Sequence, residues 1–211
     1  DHAAKNPGTT LRLGGKVVAM FPQPSADWAS SADTNTFAAK EKNPYKRKYM
    51  LIGAAPKEEG DLARYVEESA RHFKDRVPVF QVFNEPLDTQ YSLWRGQGYG
   101  MKDYLRLLGV ARAAIKKAAP AAFVLSGFCT PIRSWAEAFT EGGGLDLVDI
   151  VDWHSYSSAP PESFVSDYAD LDARMKAKNA VRPIWLTELG VYADDEPNSL
   201  ASPAGDSAMN N

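Results

Sequence analysis

The sequence predicts an α/β fold with a parallel sheet, arranged as part of a (β/α)8 TIM barrel. Apolar, β-prone segments alternate along the chain with amphipathic helical segments, the order that produces parallel sheets. The strands are continuous apolar runs, as expected when helices cover both faces of a sheet. A doubly wound sheet is the alternative, but no glycine-rich phosphate loop follows the first strand. Polar residues instead follow several different strands, at the end where barrel enzymes place their sites.

In the first half of the chain, prolines and helical periodicity mark the predicted elements. Residues 13–22 are predicted to be a buried strand closed by a proline, and residues 23–45 a long polar loop. Residues 48–54 are either a short strand or a return segment. Residues 58–74 are predicted to be a helix, with one apolar face formed by Leu62, Tyr65, Val66 and Phe73.

From Pro78 onward, strands and helices alternate regularly. The predicted strands are residues 78–85, 122–128, 147–156 and 181–189. The predicted helices are residues 101–119, 134–141 and 163–178. Residues 193–211 are polar, have no periodic pattern and are predicted to be a tail. All the elements are expected to belong to one domain, residues 1–211.

The composition is that of an ordered globular protein without strong affinity for polyanions. Hydrophobic residues make up 44% and charged residues 24%, as in soluble globular proteins. A length of 211 residues is enough for one domain with a sizeable core. The formal net charge of -3 predicts binding to neither nucleic acid nor an anionic membrane. No apolar run reaches the roughly 18 residues that a membrane-spanning helix needs, and the polar N-terminus does not match a signal peptide.

The sequence predicts no metal ion and no other cofactor. Cys129 is the only cysteine, which excludes an internal disulfide and a cysteine-based zinc site. The three histidines are His2, His72 and His154, and none stands at metal-ligand spacing from another.

Two strands about a hundred residues apart each end on a glutamate that a chain-breaking residue soon follows. Residues 79–85 end at Glu85, directly before a proline, and residues 183–188 end at Glu188, two residues before a glycine. A strand that ends on a carboxylate presents it at one rim of a parallel sheet. Two such strands therefore present two carboxylates to the same site. A pair of carboxylates is the minimum apparatus for splitting an acetal.

Three motifs resemble those of the clan A glycoside hydrolases. They are Asn-Glu-Pro at 84–86, Asp-Trp-His-Ser-Tyr at 152–156 and Thr-Glu-Leu-Gly at 187–190. In that clan the acid/base glutamate follows an asparagine at the end of the fourth barrel strand, and the nucleophilic glutamate ends the seventh. The segment from Pro22 to Trp28 resembles the third-strand loop of family 39-like members, which include xylosidases and iduronidases. The resemblance covers roughly residues 13–192.

The resemblance implies a retaining glycoside hydrolase that needs no cofactor and acts on an oligosaccharide or polysaccharide. Glu85 would protonate the leaving glycosidic oxygen as the acid/base residue. Glu188 would attack the anomeric carbon as the nucleophile and give a covalent glycosyl-enzyme, which water then hydrolyses.

Four further residues are predicted to bind substrate or support the glutamates. By resemblance, Asn84 would hold the sugar 2-hydroxyl and Tyr156 would hydrogen-bond Glu188. His154 has the same strand parity as Tyr156, so both side chains could point toward the barrel mouth. Trp28 is a candidate stacking platform, because an aromatic face suits the apolar face of a pyranose.

The strand count departs from a complete barrel. If Glu85 ends strand four and Glu188 ends strand seven, strands 3 to 7 are visible and strands 1, 2 and 8 are missing. A complete barrel typically needs about 250 residues. The clan's second-strand arginine and eighth-strand tryptophan have no counterpart. We therefore expect a fragment of a longer chain, with the remainder of the barrel supplied by the same or another chain.

Two alternatives stay open at the level of sequence. One is a non-catalytic carbohydrate-binding barrel protein that keeps the aromatic platforms. The other is a doubly wound binding domain in which the carboxyl groups of the two glutamates lie well beyond about 10 Å from each other, further apart than any hydrolytic pair.

Overall fold

Five parallel strands and six helices are present in the computed structural model, which describes residues 16–32, 37–129, 132–156 and 162–190. The strands are β1 (Val18–Phe21), β2 (Val79–Val82), β3 (Phe123–Leu125), β4 (Val151–Tyr156) and β5 (Ile184–Gly190). The helices are α1 (Phe37–Lys40), α2 (Pro44–Ile52), α3 (Glu59–Phe73), α4 (Met101–Ala118), α5 (Ala136–Glu141) and α6 (Ser163–Ala177).

The strands lie side by side in chain order. β2 pairs with both β1 and β3 in one parallel sheet, and β4 pairs with β5 in a second. Two isolated parallel bridges, Leu125–Ile150 and Phe128–Trp153, connect the two sheets. A doubly wound sheet reverses its strand order at a switch point, whereas a barrel continues in one direction. The described strands show no reversal, which argues against the doubly wound alternative.

The core lies between the sheets and the helices, with α3 and α4 packed against each other. The predicted face of α3 is partly confirmed: Leu62 and Val66 are buried, whereas Tyr65 is exposed. An aromatic cluster fills the region behind β3, where the Phe128 and Trp135 rings stack with centroids 4.2 Å apart. The Trp135 indole also donates a hydrogen bond to the Cys129 carbonyl at 2.8 Å, which ties the segment after β3 to the start of α5.

Three predictions for the first half of the chain are wrong. Residues 48–52 belong to helix α2 rather than to a strand or a return segment, and α1 and the start of α2 interrupt the predicted loop. The cause is local: the Asn43 side chain accepts hydrogen bonds from the backbone N–H of Tyr45 and Lys46, and Pro44 occupies the first turn. β1 is also not a buried strand, since Val18 and Met20 are 40% and 42% exposed.

The remaining strands are confirmed, with shorter bounds. β2 stops at Val82, three residues before Glu85, and β4 starts at Val151 rather than at residue 147. Residues 13–15 of the first predicted strand and the predicted tail, 193–211, lie outside the described residues. None of the helices in the described ranges is both long and apolar enough to cross a membrane.

The partly buried Asp149 carboxylate connects α4 to β3 through ion pairs and a backbone hydrogen bond. Its carboxylate lies 3.2 Å from Arg112 Nη2 and 2.9 Å from Lys116 Nζ, and it accepts a hydrogen bond from the Val124 N–H at 2.9 Å. Burial alone would raise the pKa of Asp149, but the bonds from Lys116, Arg112 and Val124 outweigh burial and hold the pKa below its usual value.

We expect Asp149→Asn to lower the free energy of unfolding by about 1–3 kcal/mol near neutral pH, because charged hydrogen bonds are lost. Since the folded-state pKa is lowered, this contribution is present above the ordinary aspartate pKa of about 3.9 and is lost as the pH falls through the folded-state pKa. Urea denaturation between pH 7 and pH 3 measures both quantities. Asp75→Asn, which changes an exposed carboxylate, is the control. A difference that does not shrink at acid pH would contradict the assignment.

Candidate active site

Strand β4 brings both glutamates to one histidine. Asp152, His154 and Tyr156 alternate along β4 and therefore share one of its faces. His154 is fully buried, with Nδ1 3.2 Å from Glu85 Oε1 and 3.6 Å from Glu188 Oε2. The Tyr156 hydroxyl donates a 2.9 Å hydrogen bond to Glu188 Oε2. Four of the six predicted site residues thus meet at the carboxyl ends of β2, β4 and β5.

The two glutamates are close together but differ in exposure. A carboxylate oxygen of Glu85 lies within 4.8 Å of one of Glu188. This distance excludes the alternative in which the two strand ends lie far apart. The Glu85 side chain is only 11% exposed, whereas the Glu188 side chain is 37% exposed. Two chemically identical groups therefore face one site from different environments.

The backbone after β2 turns sharply to present Glu85. Phe83 and Glu85 have positive φ angles of 67° and 46°, a region that bulky residues rarely occupy. Backbone hydrogen bonds hold the turn, from the Phe83 N–H to the Phe21 carbonyl at 2.9 Å and from the Glu85 N–H to the Gly127 carbonyl at 2.7 Å. A side chain at Gly127 would collide with the Phe83 carbonyl, so this close approach requires glycine.

A bulge in β5 sets the position of Glu188. Trp153 pairs with Leu186, but His154 pairs with Glu188, so Thr187 is an extra residue in β5. If the pairing continued regularly after Leu186, with no bulge, Thr187 would lie opposite His154. Glu188 would then lie opposite Ser155 and on the other face of the sheet. The Thr187 hydroxyl donates a 2.6 Å hydrogen bond to Asp152 Oδ1, which links the bulge to β4.

Asp152 is a site residue to which the sequence pattern assigned no role. It is fully buried, and its Oδ2 lies 3.4 Å from His154 Nε2. Its backbone N–H donates to the Ser126 hydroxyl at 2.8 Å, which also ties it to the end of β3. The sequence could have indicated this position, because Asp152 has the same strand parity as His154 and Tyr156 and therefore lies on the same face of β4. Its contact with Thr187 had no sequence signal, because it depends on the bulge.

His154 carries positive charge between the carboxylates. Burial alone would lower the pKa of His154, but Asp152 and Glu85, which face its two ring nitrogens, and the charge of Glu188 outweigh burial and raise the pKa to about 9. The imidazole is therefore protonated near neutral pH.

Asn84 and Trp28 stand apart from this cluster in different ways. Asn84 directly precedes Glu85, and its buried Oδ1 has no hydrogen-bond partner within the described part of the chain. Trp28 is 74% exposed and borders a surface pocket of about 420 Å³ that Pro22, Leu62 and Tyr65 also line. Neither glutamate lines that pocket. The role of Trp28 in stacking a sugar stays a prediction.

The cluster also has the composition of a metal site. Glu85, His154 and Glu188 each offer one ligand atom, and the three atoms lie within 4.8 Å of one another. The spacing between histidines and the lack of cysteines gave no sign of such a site in the sequence. This ligand set is drawn from three separate segments of the chain, so only the folded structure brings it together.

Comparison with known proteins identifies relatives by fold only. No protein-family profile and no curated protein matches the sequence. A monomeric beta-xylosidase from Caulobacter crescentus CB15 matches with a TM-score of 0.61 at 18% identity, over 89% of this chain and 40% of the xylosidase. A family 39 glycoside hydrolase from the gut symbiont Bacteroides cellulosilyticus WH2 matches with a TM-score of 0.60 at 16% identity, over 93% of this chain and 40% of that one.

A psychrophilic glycoside hydrolase family 10 endo-beta-1,4-xylanase has the same fold over a larger share of its length. Its TM-score is 0.58 at 15% identity, over 89% of this chain and 57% of the xylanase. The present chain thus spans about two fifths of the first two proteins and somewhat over half of the third. The resemblance to glycoside hydrolases, family 39 members among them, is therefore confirmed at the level of fold, and the chain has the fold of part of these enzymes.

Proposed function

We propose that Glu85 and Glu188 are the catalytic pair of a retaining glycoside hydrolase. The observation that carries this function is the approach of their carboxylate oxygens to within 4.8 Å. Retaining enzymes hold the two carboxyl groups about 5–5.5 Å apart, whereas inverting enzymes hold them about 6.5–9.5 Å apart to admit a water. Oxygens this close place both carboxyl groups at one glycosidic bond, and the resemblance to clan A implies that they act with retention.

The reaction proceeds by two displacements. In the first, Glu188 attacks the anomeric carbon while Glu85 gives its proton to the glycosidic oxygen, so the glycosidic bond breaks and a glycosyl ester forms. In the second, Glu85 accepts a proton from water, the water oxygen bonds to the anomeric carbon, and the ester bond to Glu188 breaks. Protons and bonds balance over the cycle, and no cofactor takes part.

The surroundings of each glutamate suit its role. Glu188 accepts a hydrogen bond from the Tyr156 hydroxyl, which holds the carboxylate in position for attack, and it is partly exposed to an incoming sugar. Glu85 is buried on the other side of His154, with Oε1 3.2 Å from Nδ1, and faces the same site. Asn84 holds the sugar 2-hydroxyl through its buried, unbonded Oδ1. Trp28 is a stacking platform in a subsite outside the carboxylate cluster.

The five strands correspond to strands three to seven of the barrel. The outer strands support this numbering, because β1 exposes Val18 and Met20, and β5 exposes Leu186 and Leu189. An apolar strand edge without a neighbour is a liability that proteins normally cover. The partner is therefore the remainder of the barrel, from the same polypeptide or another chain. The substrate is an oligosaccharide or polysaccharide.

A mechanism-based label tests this function directly. A 2-fluoro-glycoside slows both displacements and is expected to leave a glycosyl ester on Glu188, with the mass increase located by peptide mapping. A panel that includes 2-fluoro-xyloside and 2-fluoro-glucoside also reports the sugar class. Binding of a sugar with no adduct from any member, in a protein that hydrolyses no aryl glycoside, would favour the non-catalytic carbohydrate-binding alternative instead.

A further inference from the structure

We propose that Glu85, His154 and Glu188 also bind a divalent transition-metal ion of the Zn²⁺ type, which occludes the site. Metal binding itself does not depend on the proposed function, whereas inhibition of hydrolysis by the metal rests on it. The ion would take one carboxylate oxygen from each glutamate and the Nδ1 atom of the imidazole.

The spacing of the three ligand atoms suits a tetrahedral ion. Zn²⁺ binds nitrogen and oxygen ligands at about 2.0–2.2 Å, which places neighbouring ligand atoms of a tetrahedron roughly 3.4 Å apart. His154 Nδ1 lies 3.2 Å from Glu85 Oε1 and 3.6 Å from Glu188 Oε2. The glutamate oxygens are within 4.8 Å of each other, and the Glu188 side chain, which is partly exposed and accepts a bond from Tyr156, would move to close the remaining gap. Three protein ligands leave the fourth position for water.

The second ring nitrogen of His154 has the environment of a metal-bound histidine. Histidines that bind metals usually donate their other N–H to a carboxylate, which fixes the ring orientation. His154 Nε2 faces Asp152 Oδ2 at 3.4 Å, and both atoms are buried with no hydrogen-bond partner in the described ranges, so a small shift of the ring would let Nε2–H donate to Asp152. Thr187 holds the other Asp152 oxygen at 2.6 Å. Asp152 therefore orients Nδ1 toward the two glutamates.

The charge of the cluster is an independent reason to expect a cation. Three carboxylates, Glu85, Asp152 and Glu188, face one imidazole. Across the described residues, no lysine or arginine forms an ion pair with any of the three. Glu85 and Asp152 are buried, and one imidazole faces three carboxylates, so a further cation at the cluster would be stabilised. A divalent ion supplies that compensation.

The ligand types select among metals. An imidazole with two carboxylates suits Zn²⁺ and its first-row neighbours. Mg²⁺ and Ca²⁺ prefer six or more oxygen ligands, which this set does not provide. Zn²⁺ is therefore expected to bind and Mg²⁺ is not. The bound ion would cover the carboxylate pair, so it would compete with substrate.

Isothermal titration of the metal-free protein with ZnCl₂ tests the site at pH 8, where protons compete less for the imidazole. We expect saturable binding of one ion, weakened at least about tenfold by Glu188→Gln, and about 10–100-fold by Asp152→Asn. Glu188→Gln is the decisive variant, because the side chain is partly exposed and glutamine keeps its shape. Co²⁺ in place of Zn²⁺ is expected to give the intense visible absorption of tetrahedral coordination.

His72→Ala is the matched control, since His72 is exposed on α3 and accounts for adventitious binding by a surface histidine. Binding unchanged in Glu188→Gln but lost in His72→Ala would overturn the proposal, as would the absence of saturable Zn²⁺ binding. Where Zn²⁺ binds as expected and no glycoside is hydrolysed, the metal site stands and the proposed glycosidase function fails. If glycosides are hydrolysed and Zn²⁺ does not bind, the glycosidase function stands and the metal site is excluded.

Discussion

Glu188→Gln is expected to abolish glycoside hydrolysis, lowering kcat/KM by about 10⁴-fold or more, as loss of a catalytic nucleophile does in other hydrolases. The amide cannot attack the anomeric carbon, so neither the glycosyl ester nor the 2-fluoro adduct forms. The fold should survive, because the amide carbonyl of the substituted side chain can still accept the Tyr156 hydroxyl bond and the position is partly exposed. Initial rates with an aryl glycoside and intact mass after 2-fluoro-glycoside treatment measure the two effects.

Glu58→Gln is the control for this experiment. Glu58 is an exposed glutamate before α3, whose side chain makes no capping hydrogen bond. Its substitution removes the same charge without touching the carboxylate cluster and should leave hydrolysis unchanged. Hydrolysis that persists in Glu188→Gln at the wild-type rate would contradict both the assignment of Glu188 as the nucleophile and the retaining mechanism.

Glu85→Gln is expected to slow hydrolysis to an extent that depends on the leaving group. A poor leaving group needs protonation as the glycosidic bond breaks, so we expect a loss of about 10²–10⁴-fold, the usual contribution of a general acid. An activated aryl group leaves without a proton, so the glycosyl ester still forms rapidly on Glu188. Its hydrolysis then limits the rate, because no base activates water. Pre-steady-state release of the aryl alcohol measures the two steps separately.

The variant should keep the local structure, since the turn at Glu85 depends on backbone hydrogen bonds to the Gly127 carbonyl and to the segment after β1. An external nucleophile such as azide needs no base and should restore turnover of the activated substrate. Equal losses for good and poor leaving groups, with no effect of azide, would exclude Glu85 as the acid/base residue and leave a structural role.

Much of the fold followed from local patterns in the sequence. The periodic apolar faces of α3 and α4 predicted these helices, and the continuous apolar runs of β2 to β5 predicted these strands. The structure has the predicted type of element at each of these places. Residues 48–54 were predicted to be a short strand or a return segment, whereas Asn43 and Pro44 start a helix that runs to Ile52. β1 was predicted to be buried from its composition, but burial depends on which neighbours cover a strand.

The sequence by itself determined that Glu85, His154, Tyr156 and Glu188 stand near the carboxyl ends of strands, because apolar runs and side-chain parity are local properties. It did not determine the exact end of β2, which lies three residues before Glu85. Only the tertiary structure decided that these four side chains meet. Their meeting depends on the order of the strands in space, the positive φ turn after β2 and the extra residue Thr187 in β5. A shift of one residue in that register would move Glu188 to the opposite face. The same register brings Thr187 to Asp152, which orients the histidine that both glutamates share.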